Sequence, residues 1–212
     1  MQDRRQLYIV GAGDFGREME SLLEMTPPHL RDWDIAGYLD DNRQALGKSQ
    51  SDYKVLGTIS DHPLTKNDLA VVTISDGTTR ERVCNQLKGR VSFLTFVHPS
   101  VVMFKYSRIG QGSIVVSNCV ISNEVTIGDF VIVNQGTQIG HDSSIGDFSS
   151  LMSSVDLGGH CELAEKVFVG TGATIIPGIR VGAGAKVGSG SVVIRPVKPG
   201  TTVFGNPAKS IS

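Results

Sequence analysis

The sequence predicts a small α/β domain with a parallel sheet, followed by an all-β parallel β-helix of hexapeptide repeats. Three observations carry that prediction. An aliphatic residue returns at every sixth position from Ile109 to Val193. Ahead of this run, Leu7-Tyr8-Ile9-Val10 reads as a buried strand and delivers the chain into a glycine turn and a helical pattern. The composition changes near His98, dividing the chain into residues 1–98 and 99–212.

In the first part, Gly11-Ala12-Gly13-Asp14-Phe15-Gly16 stands between the opening strand and a helix from Arg17 to Glu24. Further strands are expected at Asp34 to Leu39, Leu69 to Ile74 and Val91 to Val97, with a helix from Thr78 to Lys88. Such alternation gives a parallel, Rossmann-like sheet. A GxGxxG turn presents backbone N–H groups and a helix N-terminus to phosphate. A dinucleotide needs two mononucleotide-binding halves, and fewer than 100 residues precede the solenoid part. Asp40-Asp41 also follows Gly11 by 29 residues, later than the roughly 20 typical of a ribose-binding acid in NAD enzymes. The expected ligand is therefore a nucleotide joined to something other than nicotinamide. Gly11, Gly13, Asp14 and Phe15 would lie at its phosphates, Asp40 or Asp41 at its ribose or base, and Ser75-Asp76 on the same carboxyl edge in support. His98 reads as a hinge or cap.

In the second part the period decides the architecture. Six residues match neither the 3.6-residue helix nor the two-residue strand, and they fit a solenoid whose coil takes three hexads. The fifteen aliphatic positions make five coils, about 24 Å tall at a strand spacing of about 4.8 Å. Glycine follows many of these positions, as at Gly128, Gly140, Gly146, Gly170, Gly182 and Gly188. The expectation is that these glycines turn the corners with a backbone conformation other residues avoid.

A net charge of −1 argues against a nucleic-acid binder working through a global basic surface. No Asp or Glu follows Lys166, whereas Arg180, Lys186, Arg195, Lys198 and Lys209 do, so the last coils are cationic. Cys84, Cys119 and Cys161 form no CxxC pair and point to neither a disulfide framework nor a zinc site. No apolar stretch is long enough to span a bilayer, and the opening apolar run is too short for a signal peptide. A soluble, cytoplasmic protein is expected.

Reactive groups on a solenoid belong to corners and outer faces. His141 follows Ile139-Gly140, and His160 follows Leu157-Gly158-Gly159 nineteen residues later, one coil on and one step along. The two rings should lie about one strand spacing apart, with Asp142 beside His141 to fix its tautomer.

Gly11–Gly16, Gly37-Tyr38-Leu39-Asp40-Asp41, His98-Pro99-Ser100, Asn134 seven residues before His141-Asp142, Ile145-Gly146-Asp147-Phe148, Leu157-Gly158-Gly159, Ile176-Pro177-Gly178 and Gly205-Asn206-Pro207-Ala208-Lys209 together resemble the sialic-acid and bacillosamine acyltransferase family of hexapeptide-repeat enzymes. The likeness spans nearly the whole chain. It implies a left-handed helix, where the general rule for parallel crossovers is right-handed. It implies acetyl-CoA as cosubstrate, the 4-amino group of a nucleotide-linked 4-amino-4,6-dideoxy sugar as acceptor, and no metal. It also implies a homotrimer with its active site at a subunit seam and a part in polysaccharide, including O-antigen, biosynthesis. The base (guanine, uracil or thymine) stays open.

Carried over residue by residue, the family's catalytic histidine falls on His141, its acidic neighbour on Asp142 and its active-site asparagine on Asn134. The backbone N–H facing the thioester oxygen falls on Gly159. Coenzyme contacts fall near Thr171 and Ser189, and the basic end adds Lys198 and Lys209 for the coenzyme's phosphates. Where some relatives have a second histidine this chain has Ser150, and His160 is expected to border the acetyl group or the sulfur.

Three rival readings remain. A sugar or sialic-acid O-acetyltransferase would use the same His141-Asp142 pair on a hydroxyl. A trimeric scaffold would have no chemistry. A metal-dependent hydratase needs three converging histidines, and the spacing of His98, His141 and His160 does not supply them.

Overall fold

The computed structural model describes residues 4–211. It divides into two compact units, the first ending at Leu94 and the second beginning at Thr95, a little before the boundary expected at residue 98.

The first unit is a five-stranded parallel sheet with two flanking helices. Its elements in chain order are β1 (Arg5–Val10), α1 (Asp14–Glu24), β2 (Trp33–Leu39), β3 (Val55–Gly57), β4 (Leu69–Val72), α2 (Gly77–Leu87) and β5 (Ser92–Phe93). The spatial order is β3-β2-β1-β4-β5. The chain winds outward from β1 on one side and returns beside it as β4 on the other. That reversal opens a crevice at the carboxyl ends of β1 and β4, where ligands gather in open α/β sheets. Leu7, Ile9, Val10, Leu69, Val71, Met19 and Leu23 form the dry core. β3 was absent from the sequence reading because Val55-Leu56-Gly57 is too short to show a period.

The strand expected over Val91 to Val97 is divided between the units. Ser92–Phe93 pairs with β4, while Phe96–Val97 pairs with Ile114–Val115 and is already a rung of the solenoid. His98 continues that rung: its N–H donates to Val115 O, and Ser100 N donates to its Nδ1.

The second unit is a three-sided left-handed parallel β-helix. Its faces carry six, five and eight short strands. Residues eighteen apart stack in register, as Ile121 on Ile139 and Ile139 on Leu157. The aliphatic column fills the interior. Rungs at Phe96–Val97 and Val102–Met103 precede the repeat, and Thr202–Phe204 follows it, extending the five expected coils. A second interior column, two residues before each aliphatic, holds further aliphatics, hydroxyls or thiols. Ser143 Oγ, for example, donates to Gly158 O and accepts from Cys161 N, stitching adjacent coils.

The corner expectation is overturned. None of Gly128, Gly140, Gly146, Gly170, Gly182 and Gly188 has positive φ. Left-handed conformation recurs three residues after every aliphatic from Ile109 to Val187, and non-glycine residues hold most of those positions, among them Phe130, Asp142, Phe148, His160 and Lys166. The glycines serve close approach instead: a Cβ at Gly140 would stand 2.4 Å from Gly159 N, and one at Gly146 2.5 Å from the Ala164 carbonyl carbon. No helix among the described residues is long and apolar enough to cross a membrane.

Candidate active site

The stacking register sets one corner of the solenoid. His141 lies over Gly159 and Asp142 over His160, and the His160 N–H donates to His141 O at 2.8 Å. The His141 Nδ1 is 2.7 Å from Asp142 Oδ2. A carboxylate only accepts, so this contact puts the proton on Nδ1 and leaves Nε2 with a free lone pair. The His160 ring stands edge-on to that of His141, with centroids 4.9 Å apart and an interplanar angle of 87°, close to the one-strand spacing the sequence implies. Its Nε2 is 3.9 Å from the same Asp142 oxygen, too long for a hydrogen bond. Asp142 and His160 both have left-handed backbones, φ 57° and 59°.

Gly159 is buried beneath the His141 ring. A Cβ there would meet Nε2 at 2.8 Å, so only glycine lets the imidazole lie against this backbone. Among the described residues no hydrogen bond uses the Gly159 N–H. A donor without a partner next to a ring nitrogen with a free lone pair is a pairing suited to acyl transfer.

Asn134 Oδ1 is buried and has no hydrogen-bond partner among the described residues. Its backbone is tied on both sides, N–H to Leu151 O and carbonyl to the Cys119 thiol. Ser150 is buried in the rung between Ile132 and Phe168. Thr171 and Ser189 are exposed and stack one coil apart on another corner. Arg195 and Lys198 line a cavity of about 420 Å³ at the end of the solenoid, with Val193, Val203 and Ala208. Lys209 is exposed on the last strand, paired with Phe204. Arg180 is partly neutralised by Glu162 at 3.1 Å.

The cysteines are free and buried. Burial pushes the Cys119 and Cys161 thiols up and that of Cys84 to about 12, which removes all three as nucleophiles. His98 bonds within its own turn to Ser100, and the third donor beside His141 and His160 is a carboxylate.

In the first unit, Gly11 has φ +102°, and a Cβ at Gly16 would stand 2.1 Å from Gly11 O, so both glycines are obligatory for the turn. Gly13 has open space around it and caps α1 without a side-chain bond. Asp40 Oδ2 accepts the Ala12 N–H at 2.8 Å and Oδ1 accepts the Asn42 N–H, so this carboxylate shapes the turn as well as facing its edge. Asp41 Oδ1 accepts Ile59 N. Asp14 is exposed and pairs with Arg17, and Phe15 is half-buried. Ser75 is exposed, and Asp76 caps α2 through Thr79 N.

Sequence reasoning missed Arg80. It is only 1% exposed, donates to Ser75 O at 3.0 Å and to Ile74 O, and is held down at about 10 by burial. It pins the loop after β4, and no motif marks it.

Residues 6–87 match the PglD N-terminal domain family. Over 211 residues the chain is 32% identical to the GDP-perosamine N-acetyltransferase of Escherichia coli O157:H7, covering 96% of this chain and 95% of that protein. It is similar to PerB from Caulobacter crescentus, solved with CoA and GDP-perosamine, at TM-score 0.83 and 27% identity over 98% of this chain and 97% of that one. It is also similar to the acetyltransferase domain of PglB from Neisseria gonorrhoeae FA1090, solved with acetyl coenzyme A, at TM-score 0.87 and 28% identity over 98% and 100%. The chain belongs to the sialic-acid and bacillosamine-type family of hexapeptide-repeat sugar acetyltransferases.

Proposed function

We propose that the protein acetylates the 4-amino group of a nucleotide-linked 4-amino-4,6-dideoxyhexose, with GDP-perosamine the first candidate, using acetyl-CoA and His141 as general base. The observation that carries the reading is the corner itself: an imidazole whose Nδ1 faces Asp142 at 2.7 Å, over a buried glycine whose N–H has no partner among the described residues. The relatives' ligands, GDP-perosamine and CoA, support the two substrates.

In this scheme the sugar nitrogen attacks the thioester carbon, its proton passes to His141 Nε2, and the Gly159 N–H donates to the oxyanion. The tetrahedral adduct collapses by breaking the C–S bond, and the proton leaves with the coenzyme thiol. Asp142 holds the imidazolium in between. No acyl-enzyme is needed, consistent with thiols silenced by burial. Asn134 Oδ1 accepts from a bound group, and Ser150 and His160 border the acetyl group.

Thr171 and Ser189 contact the coenzyme, and Lys198 and Lys209 meet its phosphates. The nucleotide is held at the carboxyl ends of β1 and β4 by Gly11, Gly13, Asp14 and Phe15, with Asp40, Asp41, Ser75 and Asp76 along the same edge. We further propose a cytoplasmic homotrimer with the His141 corner at a subunit seam. Exposed Phe104 and Tyr106, which a partner would cover, support the assembly.

The test is incubation with acetyl-CoA and a panel of GDP-, UDP- and dTDP-linked 4-amino sugars and their 4-hydroxy counterparts, following free thiol. Thiol release with the amino sugars alone supports the proposal, and the strongest responder names the base. Release with hydroxyl sugars alone favours O-acetylation, and none at all favours a scaffold.

A further inference from the structure

We infer that His141, Asp142 and His160 form a binding site for a divalent transition-metal ion, Zn²⁺ the first candidate, and that filling it switches off acyl transfer. Each residue offers one donor atom, and these atoms lie within 4.8 Å of one another. The donor set, two imidazoles and a carboxylate, is one that Zn²⁺, Co²⁺, Ni²⁺ and Cu²⁺ favour. The 3.9 Å between His160 Nε2 and Asp142 Oδ2 exceeds a hydrogen bond but falls within the span of two donors on one ion, at most about 4.2 Å for bonds of about 2.1 Å. His141 Nδ1, 2.7 Å from the same oxygen, becomes the third donor when the ion displaces its hydrogen, the ion lying off the line between the two atoms and the exposed rings turning to bring all three donors within about 4.2 Å of one another.

The register fixes this convergence. Asp142 and His160 occupy the same corner position on adjacent coils, and the His160 N–H is bonded to His141 O at 2.8 Å. The three side chains are 56%, 45% and 65% exposed, so an ion can enter and keep water on its remaining positions.

Inhibition follows from the tautomer. Neutral imidazole carries one hydrogen. Ligation through Nδ1 moves it to Nε2, so the atom that accepts the amine's proton becomes a donor. The ion also draws Asp142 away from its orienting role. This second half rests on the reading of His141 as base, whereas the binding half does not.

The experiment uses the full chain, stripped with chelator, titrated with Co²⁺ while visible absorption bands are followed, with Zn²⁺ then added as competitor. The wild type should bind one Co²⁺ per chain, displaced by Zn²⁺, and the His160→Asn variant, its fold checked by melting temperature, should bind at least about 10-fold more weakly. His160→Cys, which keeps a donor, should restore binding. Zn²⁺ should inhibit wild-type thiol release over the range in which it displaces Co²⁺. Absence of Co²⁺ bands in the wild type, or equal affinity in His160→Asn, overturns the site. Binding that is lost in His160→Asn but leaves wild-type turnover untouched overturns the inhibition and points to an error in the role of His141.

Discussion

The His141 imidazole rests on Gly159, with room between them for a hydrogen and not for a methyl group: a Cβ at 159 would come within 2.8 Å of Nε2 and 2.9 Å of Cε1. The proposed base and the proposed oxyanion donor are thus set by one contact. Gly159→Ala should push the ring off its position and lower kcat by about 10²–10³, the loss typical of one oxyanion donor. The melting temperature should move little, because the clash is with a half-exposed side chain that can swing away. Thermal melts beside steady-state rates check this, and full turnover in the variant would contradict it.

Asn134 gives the opposite signature. Its buried Oδ1 has no partner among the described residues, a cost of roughly 1–3 kcal/mol that a bound group would relieve. Asn134→Leu, of the same branching and heavy-atom count, should raise the melting temperature while kcat/KM for the sugar falls. A lower melting temperature with normal kcat/KM would make Asn134 purely structural.

The two kinds of glycine should respond differently to alanine. Gly146→Ala places a Cβ 2.5 Å from the backbone of the next coil, so coils must separate, and the loss should exceed about 3 kcal/mol. Gly184 has φ +65° but open space around it, so Gly184→Ala should cost only about 1–2 kcal/mol. Denaturant midpoints compare them directly, and equal losses would refute the close-approach account.

That contrast marks what the sequence made legible. The six-residue period exposes the aliphatic column because each of those side chains has nowhere to go but the interior, and the nineteen-residue offset of His141 and His160 becomes a spatial offset by simple stacking. The left-handed corners were misassigned because Phe130, Phe148 and Lys166 carry no local sign of positive φ. Their conformation is imposed by the coil and stabilised by stacking, as where the Phe130 and Phe148 rings lie 5.2 Å apart and nearly parallel. Asp40 was legible as an acid on the right edge, but not as the acceptor of the Ala12 N–H, since that needs β1 and β2 side by side. Buried Arg80 was invisible for the same reason: two of its partners are the backbone carbonyls of Ile74 and Ser75, which have no letter in a sequence.

Asp40→Ala should therefore weaken nucleotide-sugar binding by loosening the glycine turn as well as removing a carboxylate, while leaving acetyl-CoA affinity unchanged. Calorimetry with each ligand separately decides. Equal losses for both would mean general misfolding.

The most direct measurement is single-turnover thiol release by His141→Ala with acetyl-CoA and the preferred amino sugar, run beside coenzyme binding. The account predicts a rate about 10²–10⁴ lower with coenzyme affinity intact. A rate near that of the wild type would contradict it.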